Sequence, residues 1–393
     1  MNKNCLIVNT GSASKKYSFY IGDNNVYTAH FEKEGNSLVL NETINGKKEK
    51  RNVDIEDYPK SASLVIKSLV ENKVIEEEKD LQAIGIRIVA PGEYFLETQV
   101  ITDEYIKKAE ETLEKVPLHL GPALEEIKNL KSIFDNSLDI IGVSDSAFHK
   151  SMPKKNRIYS IPIEDTDNLG IYRFGYHGIS CQSIVSQVKD ILGAIPKRTI
   201  ICHLGGGASI SAVLNGEGIN NTMGFTPLEG LTMATRVGDI DPGAVLYLSD
   251  KLKKNHRDLE KYFNSKCGLL GLSGKSDDIR QLLINEENSD ENSTLALEVY
   301  VERVKENISK MAANLGGVDL IVFAGTVGER SYILRERICR NLGYMGIKLD
   351  DKKNDLNEGD VLELESADSK AKIMIIKTNE MEEIVKEVYK LKQ

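Results

Sequence analysis

At 393 residues the chain is too long for one compact core, and at roughly 150 residues per domain it suggests two or three domains. Its 40% hydrophobic and 28% charged residues are an ordinary globular balance, which argues against extended disorder. Lys and Arg number 51 against 60 Asp and Glu, a net charge of −9 without a long basic run, so general nucleic-acid binding is not expected, whereas an anionic small substrate needs only a local basic pocket. No run of about 18 apolar residues occurs, so no membrane span is expected. Met1 to Val8 is too short for a signal peptide and reads as a first strand. Cys5, Cys181, Cys202, Cys267 and Cys339 are scattered and form no CxxC pair, so neither a zinc site nor a disulfide framework is expected, and a reducing cytoplasm fits.

In chain order, Asn4–Val8 reads as a strand, Thr10–Ser14 as a small-residue turn, and Tyr17–Ile21 as a strand that Gly22–Asn25 turns into Val26–Phe31. Apolar spacing predicts helices over Ser61–Glu71, Ile106–Glu114 and Leu124–Phe134, and buried strands over Gln82–Val89 and Leu138–Val143. The opening grammar then returns: strand Arg198–Cys202, turn Gly205–Gly207, strand Ile210–Leu214, and a hairpin closed by Asn215-Gly216. Gly205 follows Gly11 by 194 residues, and Gly216 follows Gly22 by the same 194. Chance and duplication both stay open on that offset. Two such hairpins facing one another would make a two-jaw phosphate clamp, because tight small-residue turns converge backbone N–H groups on anions. Further on come a charged segment, Asn285–Asn292, expected as a loop, and a long amphipathic helix, Ala296–Leu315. Strand Val318–Phe323 leads into a third glycine turn, Gly325–Gly328, followed by a strand Lys372–Ile376 and a helix Glu382–Leu391. No Gly/Ser/Pro-rich linker separates the parts, so the architecture is α/β with closely packed halves.

Three segments invite chemistry. Asn9-Thr-Gly-Ser-Ala-Ser-Lys-Lys16 offers small residues, hydroxyls and a cation, as a phosphate requires, although it is not a Walker loop and an ordinary hairpin turn is the competing reading. Cys202-His-Leu-Gly-Gly-Gly-Ala-Ser209 carries three consecutive glycines, which weaken regular structure unless a ligand approaches the backbone. Met223–Pro242 is a long loop-like run in which Arg236, beside Gly238 and Asp239, could serve an anionic group. His119, His149, His177 and His203 sit beside small or Gly-rich segments, but no paired metal spacing occurs, so a His-bound metal centre is not expected. Arg87 lies inside the apolar strand Ile84–Val89, where an unpaired charge is costly, so it has a carboxylate partner or binds an anion. Asp145 poses the same question after Leu138–Val143.

Taken together these motifs resemble the acetate kinase family of short-chain carboxylate kinases, within the actin/hexokinase/Hsp70-like superfamily. The resemblance runs in unbroken order from Asn4 beyond Glu380. It is carried by Asn9–Ser14, Pro117-Leu-His119, Asp145-Ser-Ala-Phe-His149, Phe174-Gly-Tyr-His-Gly178, His203–Ser209, Met223–Leu231, Thr235–Pro242, Gly271–Arg280 and Thr378-Asn-Glu380. It implies two duplicated actin/hexokinase-like (ribonuclease H-like) α/β domains with an active site in the cleft between them. Domain boundaries would fall at 1–146, with a returning C-terminal helix at 379–393, and at 147–378, the second domain binding nucleotide and forming a homodimer. The implied reaction is reversible, Mg²⁺-dependent phosphoryl transfer from ATP to acetate, giving acetyl phosphate and ADP, with Mn²⁺ as a substitute metal.

By resemblance, Arg87 and Arg236 would grip the carboxylate and the transferring phosphoryl group, His177 would bond the phosphoryl oxygens, and Asp145 would be the catalytic carboxylate near Arg87. His119 joins this catalytic set. Asn9 and Glu380 would help hold Mg²⁺, partly through water. Ser12, Ser14, Lys16, His203, Leu204, Gly205, Gly206 and Gly207 would bind nucleotide phosphates, together with the third turn (Thr326, Val327, Gly328, Glu329, Arg330). Asp278, Ile279 and Arg280 would border the adenosine. Val89, Leu118, Tyr176 and Pro227 would line the pocket for the acyl methyl. A carboxylate, with a pKa of about 4 to 5, is already a nucleophile at neutral pH, so Asp145 is expected to orient Arg87 or the metal rather than to take a proton.

The chain departs from the family's usual pattern at five places. Ile86 and Ala90-Pro91-Gly92 stand where His and His-Gly-Gly flank the strand arginine. Gly206 replaces Asn, Thr326 and Arg330 replace Gly and Asn, Tyr176 replaces Phe, and Lys15 replaces an apolar residue. Arg330 admits two readings, an altered donor such as GTP or a surface change without effect. Retention of Val89 favours acetate over propionate, one methylene being worth about 1–3 kcal/mol. A propionate or other short-acid kinase, or use of a non-ATP donor, is the alternative within this chemistry. A catalytically quiet nucleotide-binding regulator would have no need to keep Arg87, Asp145, His177, Arg236 and Glu380 together.

Overall fold

The structure, a computed structural model, describes residues 4–11, 14–34, 37–135, 137–355 and 359–392. The chain divides into two compact units, Met1–Ala147 with Asn379–Gln393, and Phe148–Thr378.

The first unit is built on eight strands: β1 (Asn4–Thr10), β2 (Ser14–Ile21), β3 (Asn24–Glu34), β4 (Ser37–Ile44), β5 (Lys47–Val53), β6 (Ala83–Ile88), β7 (Gln99–Val100) and β8 (Ile140–Ser144), in the order β5-β4-β3-β2-β1-β6-β8-β7. Strands β1, β6 and β8 are parallel, and β1 through β5 form an antiparallel meander. The meander runs two strands past the sequence expectation. Strand β5, Lys-Lys-Glu-Lys-Arg-Asn-Val, is exposed along almost its whole length and has no apolar face for a periodicity argument to find; such polarity suits an edge strand. Helices α1 (Ser61–Glu71), α2 (Asp103–Thr112) and α3 (Pro117–Phe134) accompany this sheet. Helix α3 begins seven residues before the expected Leu124, with Pro117 in its first turn, where a missing N–H costs nothing. Leu6, Val8, Phe19, Ile84 and Ile86 form one core with Ile66, Leu69, Leu120, Ile127 and Leu130.

Alternation along β6 turns Gly85 and Arg87 to the opposite face from Ile84 and Ile86. There the C-terminal helix, Glu380–Leu391, packs so closely that a Cβ on Gly85 would lie 2.6 Å from Val388 and 2.9 Å from Ile384. The absent side chain is what admits the helix.

The second unit has six strands: β9 (Arg198–Leu204), β10 (Ala208–Leu214), β11 (Glu217–Asn221), β12 (Leu320–Ala324), β13 (Val361–Glu363) and β14 (Lys372–Ile376), in the order β11-β10-β9-β12-β14-β13. Its helices include α4 (Gly178–Leu192), α5 (Pro242–Leu252), α6 (Ile279–Glu287), α7 (Glu291–Leu315) and α8 (Gly325–Arg330). Cys181, Ile184 and Val188 of α4 share a core with Ile201, Val322 and Met374, and α7 buries Val304, Ile308 and Met311.

The strand order β3-β2-β1-β6-β8-β7 is repeated as β11-β10-β9-β12-β14-β13, with the same three strands parallel and the same antiparallel edge. Duplication therefore rests on topology. The glycine offset supports it only in part. Thr10 pairs with Lys15 but Leu204 pairs with Ala208, so the first connection is one residue longer, and Gly22 corresponds to Asn215 rather than Gly216. Gly22 and Asn215 both lie at positive φ, +59° and +53°.

Two expectations are corrected. The charged segment Asn285–Asn292 is not a loop: α6 continues through Glu287 and α7 starts at Glu291, where the side chain of Asp290 accepts from the Ser293 N–H. Glu286, Glu287 and Glu291 lie on the helices, and Asp290 in the connection between them caps α7. The third glycine turn is a short helix, α8. Gly325, at φ +75°, makes the bend out of β12, and a Cβ there would lie 2.6 Å from the Leu204 carbonyl oxygen.

Gly85→Ala is expected to lower stability by about 1–3 kcal/mol through overpacking against Ile384 and Val388, measured by urea unfolding.

Candidate active site

In the first unit the candidate residues gather at the carboxyl ends of the parallel strands. Arg87 is near the end of β6, and Asp145, fully buried, directly follows β8, its N–H donating to the Ile88 carbonyl at 2.9 Å. The guanidinium meets the carboxylate side-on: Nε donates to Oδ1 and Nη2 to Oδ2, each at 3.0 Å. This bidentate geometry fixes the plane of the guanidinium as well as its position. Glu380, the first residue of the C-terminal helix, brings Oε2 to 3.7 Å from Nη1, and Asn9 at the end of β1 donates to the same oxygen at 3.5 Å. Burial works against the charge on Arg87, but Asp145 and then Glu380 outweigh it and raise its pKa above the ordinary arginine value.

Asn9, Arg87, Asp145 and Glu380 thus form one connected group. Lys16 is exposed on β2 directly across the ladder from Asn9, and Ser14 is half-buried at the strand's start. Val89 is half-buried just beyond β6; Leu118, exposed, and His119, half-buried, occupy the first turn of α3. Ser12 lies outside the described residues.

In the second unit the glycine turn after β9 is the focus. A Cβ on Gly207 would lie 3.3 Å from Arg236 Nη1 and 3.4 Å from His177 Nε2, so a bare backbone lets a cation and an imidazole approach the turn together. His177 caps α4 in the left-handed region, φ +57°, a strained place for a residue with a side chain. Its Nδ1 is 2.9 Å from Ser209 Oγ, and its ring lies 4.3 Å from that of His203, centroid to centroid. Gly205 and Gly206 line a cavity of about 480 Å³ together with Asp278, Ile279, Arg280, Thr326, Val327 and Arg330. That is an adequate size for a small organic ligand, and its mixed apolar and charged lining suits a nucleoside. Leu204 is buried under the turn; Gly328 is buried within α8, and the Glu329 carboxylate accepts from the Gly325 N–H at 3.0 Å. Burial raises the Glu329 pKa. Asp278 also acts locally, capping α6 and pairing with Arg280.

The loop that presents Arg236 is held from several sides. Gly230 and Asp239 exchange two bonds at 2.9 Å, Arg173 donates to the carbonyls of Asn221 and Thr222, and Glu229 meets both Arg173 and Tyr159. Tyr176, buried, donates its hydroxyl to the Phe225 carbonyl at 2.7 Å, two residues before the buried Pro227. The extra oxygen at this position is therefore engaged by backbone.

Two supporting residues carry roles that the sequence did not assign. His149 is fully buried with Nε2 3.0 Å from the Tyr176 carbonyl oxygen, and Asn221 Nδ2 donates to that oxygen at 3.2 Å. Both brace the backbone directly before the strained His177. The doublet Asn220-Asn221 at the end of β11 is the available signal, since a buried amide must be bonded.

Among the described residues no group of three or more His, Cys, Asp or Glu could hold an ion. The amide of Asn9 and the carboxylate of Glu380 fit Mg²⁺, which takes few protein ligands and keeps water and phosphate oxygens.

Burial lowers the His149 pKa to about 4, opposed by its bond to Tyr176. The unfolded chain, near the ordinary 6.5, takes up its proton first, so this stabilisation is complete above pH 6.5 and lost as pH falls toward 4. His149→Gln is expected to flatten the fall of the thermal unfolding midpoint between these two pH values.

The model of the Acetokinase family matches residues 4–386. The acetate kinase of Bacillus cytotoxicus is 35% identical over 391 residues, covering 98% of each chain. The crystal structure of Porphyromonas gingivalis acetate kinase matches with a TM-score of 0.88 at 32% identity over 100% of both chains. A propionate kinase from Francisella tularensis matches with a TM-score of 0.89 at 31% identity over 98% of both chains. The family match spans nearly every residue, including both duplicated sheets and all the charged groups described above, and the chain belongs to the acetokinase family.

Proposed function

We propose that this chain transfers the γ-phosphoryl group of ATP directly and in line to acetate, giving acetyl phosphate and ADP, and runs the reaction in both directions. What supports this reading is the set of groups that each unit offers an anion. One guanidinium is locked by a bidentate carboxylate, and a second flanks a bare glycine turn beside an imidazole. Acetate needs no base to become a nucleophile, its pKa being about 4 to 5; it needs relief from repulsion by a polyanionic donor. Arg87, Arg236 and His177 supply opposite charge and donors where the equatorial oxygens gather charge in the transition state. Both oxygens of Asp145 are occupied by Arg87, so its part is to orient that guanidinium. Asn9 and Glu380 would hold Mg²⁺, which when bound neutralises phosphate charge. His119 would add a donor from the first turn of α3. The turn at Gly11 and Ser14 with Lys16, the His203–Gly207 turn and the start of α8 would bind the donor's phosphates. Asp278–Arg280 would border its adenosine.

Acetate is preferred over longer acids because Val89 is retained and the Tyr176 ring stays full-sized, its hydroxyl bonded to Phe225. Homodimer formation through the second unit is supported by α5, which has no buried residue although it carries Leu246, Tyr247 and Leu252 at 73%, 64% and 43% exposure. An apolar helix left in water is the mark of an interface. Five free cysteines suit a reducing cytoplasm.

Arg87→Ala and Arg236→Ala are each expected to lower turnover on the order of 10²–10⁴-fold, through lost charge stabilisation in the transition state. Hydroxylamine trapping of acyl phosphate, run across acids of increasing length and across ATP and GTP, checks substrate and donor together; propionate or GTP ahead of acetate or ATP contradicts the preferences given. Leu246→Glu with Tyr247→Glu is expected to yield monomers in sedimentation experiments.

A further inference from the structure

Strand β2 alternates, so Lys15, Tyr17 and Phe19 point to one face, and Tyr17 and Phe19 are core residues. Lys15 therefore presents an ammonium group to a hydrophobic core, and its side chain is only 2% exposed. Its partner, Glu126, lies on the buried face of α3 among Leu120, Ala123, Leu124, Ile127 and Leu130 and is 0% exposed. Nζ meets Oε2 at 2.6 Å, and the other carboxylate oxygen accepts from the Tyr17 hydroxyl at 2.7 Å. Both charges are thus bonded within the protein. The core thus holds a buried ion pair. Stability does not explain it, because well-packed apolar residues in place of a buried ion pair are often neutral or stabilising.

Its remaining bond points elsewhere. Nζ also donates to the carbonyl oxygen of Tyr58, at 3.1 Å. The Tyr58 hydroxyl in turn donates to the Gly11 carbonyl oxygen at 2.8 Å, and Gly11 N–H donates to the Ser14 carbonyl at 2.7 Å. The ring of Tyr58 is covered by the Lys33 ammonium at 3.8 Å. Tyr58 is a strut: its backbone is tied to the ion pair and its hydroxyl to the turn between β1 and β2. At the other end, Glu126 belongs to the same helix that carries Leu118 and His119 in its first turn, and about two helical turns separate it from His119.

We propose that the buried Lys15–Glu126 pair, acting through Tyr58, is a positioning device that holds Gly11 and Ser14, at the ends of β1 and β2, in register with α3. The proposal rests on the reading above, in which those residues bind the phosphates of the nucleotide. A buried ion pair has a narrow range of acceptable geometries, whereas an apolar contact tolerates sliding, and a phosphate turn is useful only where its N–H groups are held. Lys15, Tyr58 and Glu126 are positioning residues that touch no substrate.

The test uses the 393-residue chain and ADP with Mg²⁺ as the probe, read by calorimetric titration beside steady-state kinetics. Tyr58→Phe removes only the hydroxyl. It is expected to weaken ADP binding and raise the nucleotide KM about fivefold, the effect of one lost hydrogen bond, with the acetate KM unchanged. Lys15→Met with Glu126→Met removes both charges together, avoiding the stranded charge that either single change would leave, and is expected to keep the thermal midpoint while producing the same nucleotide defect. Adding Tyr58→Phe to that pair should cost nothing more, since all three act through one path. Unchanged ADP affinity in Tyr58→Phe overturns the proposal, and this variant decides the matter if the double variant does not fold. Wild-type protein that binds no ADP would instead overturn the phosphate reading on which the proposal stands.

Discussion

A guanidinium at the end of a buried strand has to be matched by fixed counter-charge, and in the first unit the arrangement around Arg87 follows from that need. Asp145 supplies a bidentate grip from the neighbouring parallel strand, and Glu380 adds a second carboxylate from the first turn of the C-terminal helix. The helix reaches that position because Gly85, two residues before Arg87 on the same face of β6, leaves room for Ile384 and Val388. A missing side chain in the sheet and a charge at its edge are therefore one design: the first draws the helix in, and the second receives its leading carboxylate.

Repeating the same sheet provides a second carboxyl edge with different chemistry. The three parallel strands of the first unit end beside Asn9, Arg87 and Asp145, and β9 and β12 of the second lead into the glycine turn and α8. Open α/β sheets offer ligands this edge because connections diverge there and leave space. The first unit contributes a locked cation and oxygen donors. The second contributes an open cavity, a cation and an imidazole around bare backbone. The duplicated topology gives each set its own copy of one scaffold.

Several buried polar groups in this protein hold backbone in place. His149 and Asn221 brace the carbonyl preceding His177, and Tyr176 fastens the loop at Phe225. Arg335, fully buried, gives all its bonds to carbonyl oxygens, those of Gly328 and Glu329 in α8 and two of Asn354. Burial without a carboxylate lowers its pKa to about 10. In each case a desolvated donor is matched to a segment that carries a candidate site residue.

The order of strands and helices, the duplicated turn motifs and the retained charges were legible in the sequence, because local periodicity and residue type determine them. Arg87 in an apolar strand announced a partner, and Asp145 was named beside it. Strand β5 is not legible in the sequence because an edge strand of charged residues has no hydrophobic period, and α8 resembles a turn because Gly325 and Gly328 within it favour bends locally. The glycine offset suggested duplication, but its second match was one residue out of step, since hairpin register is fixed by pairing across strands and not by counting along the chain. Lys15 was visible as an unusual residue, yet its carboxylate lies 111 positions away on another element. Sequence alone determined which groups the protein possesses and the periodic elements that carry them. Only the tertiary structure decided which distant groups meet, because burial converts a charge from an individual property into a demand on whatever packs against it.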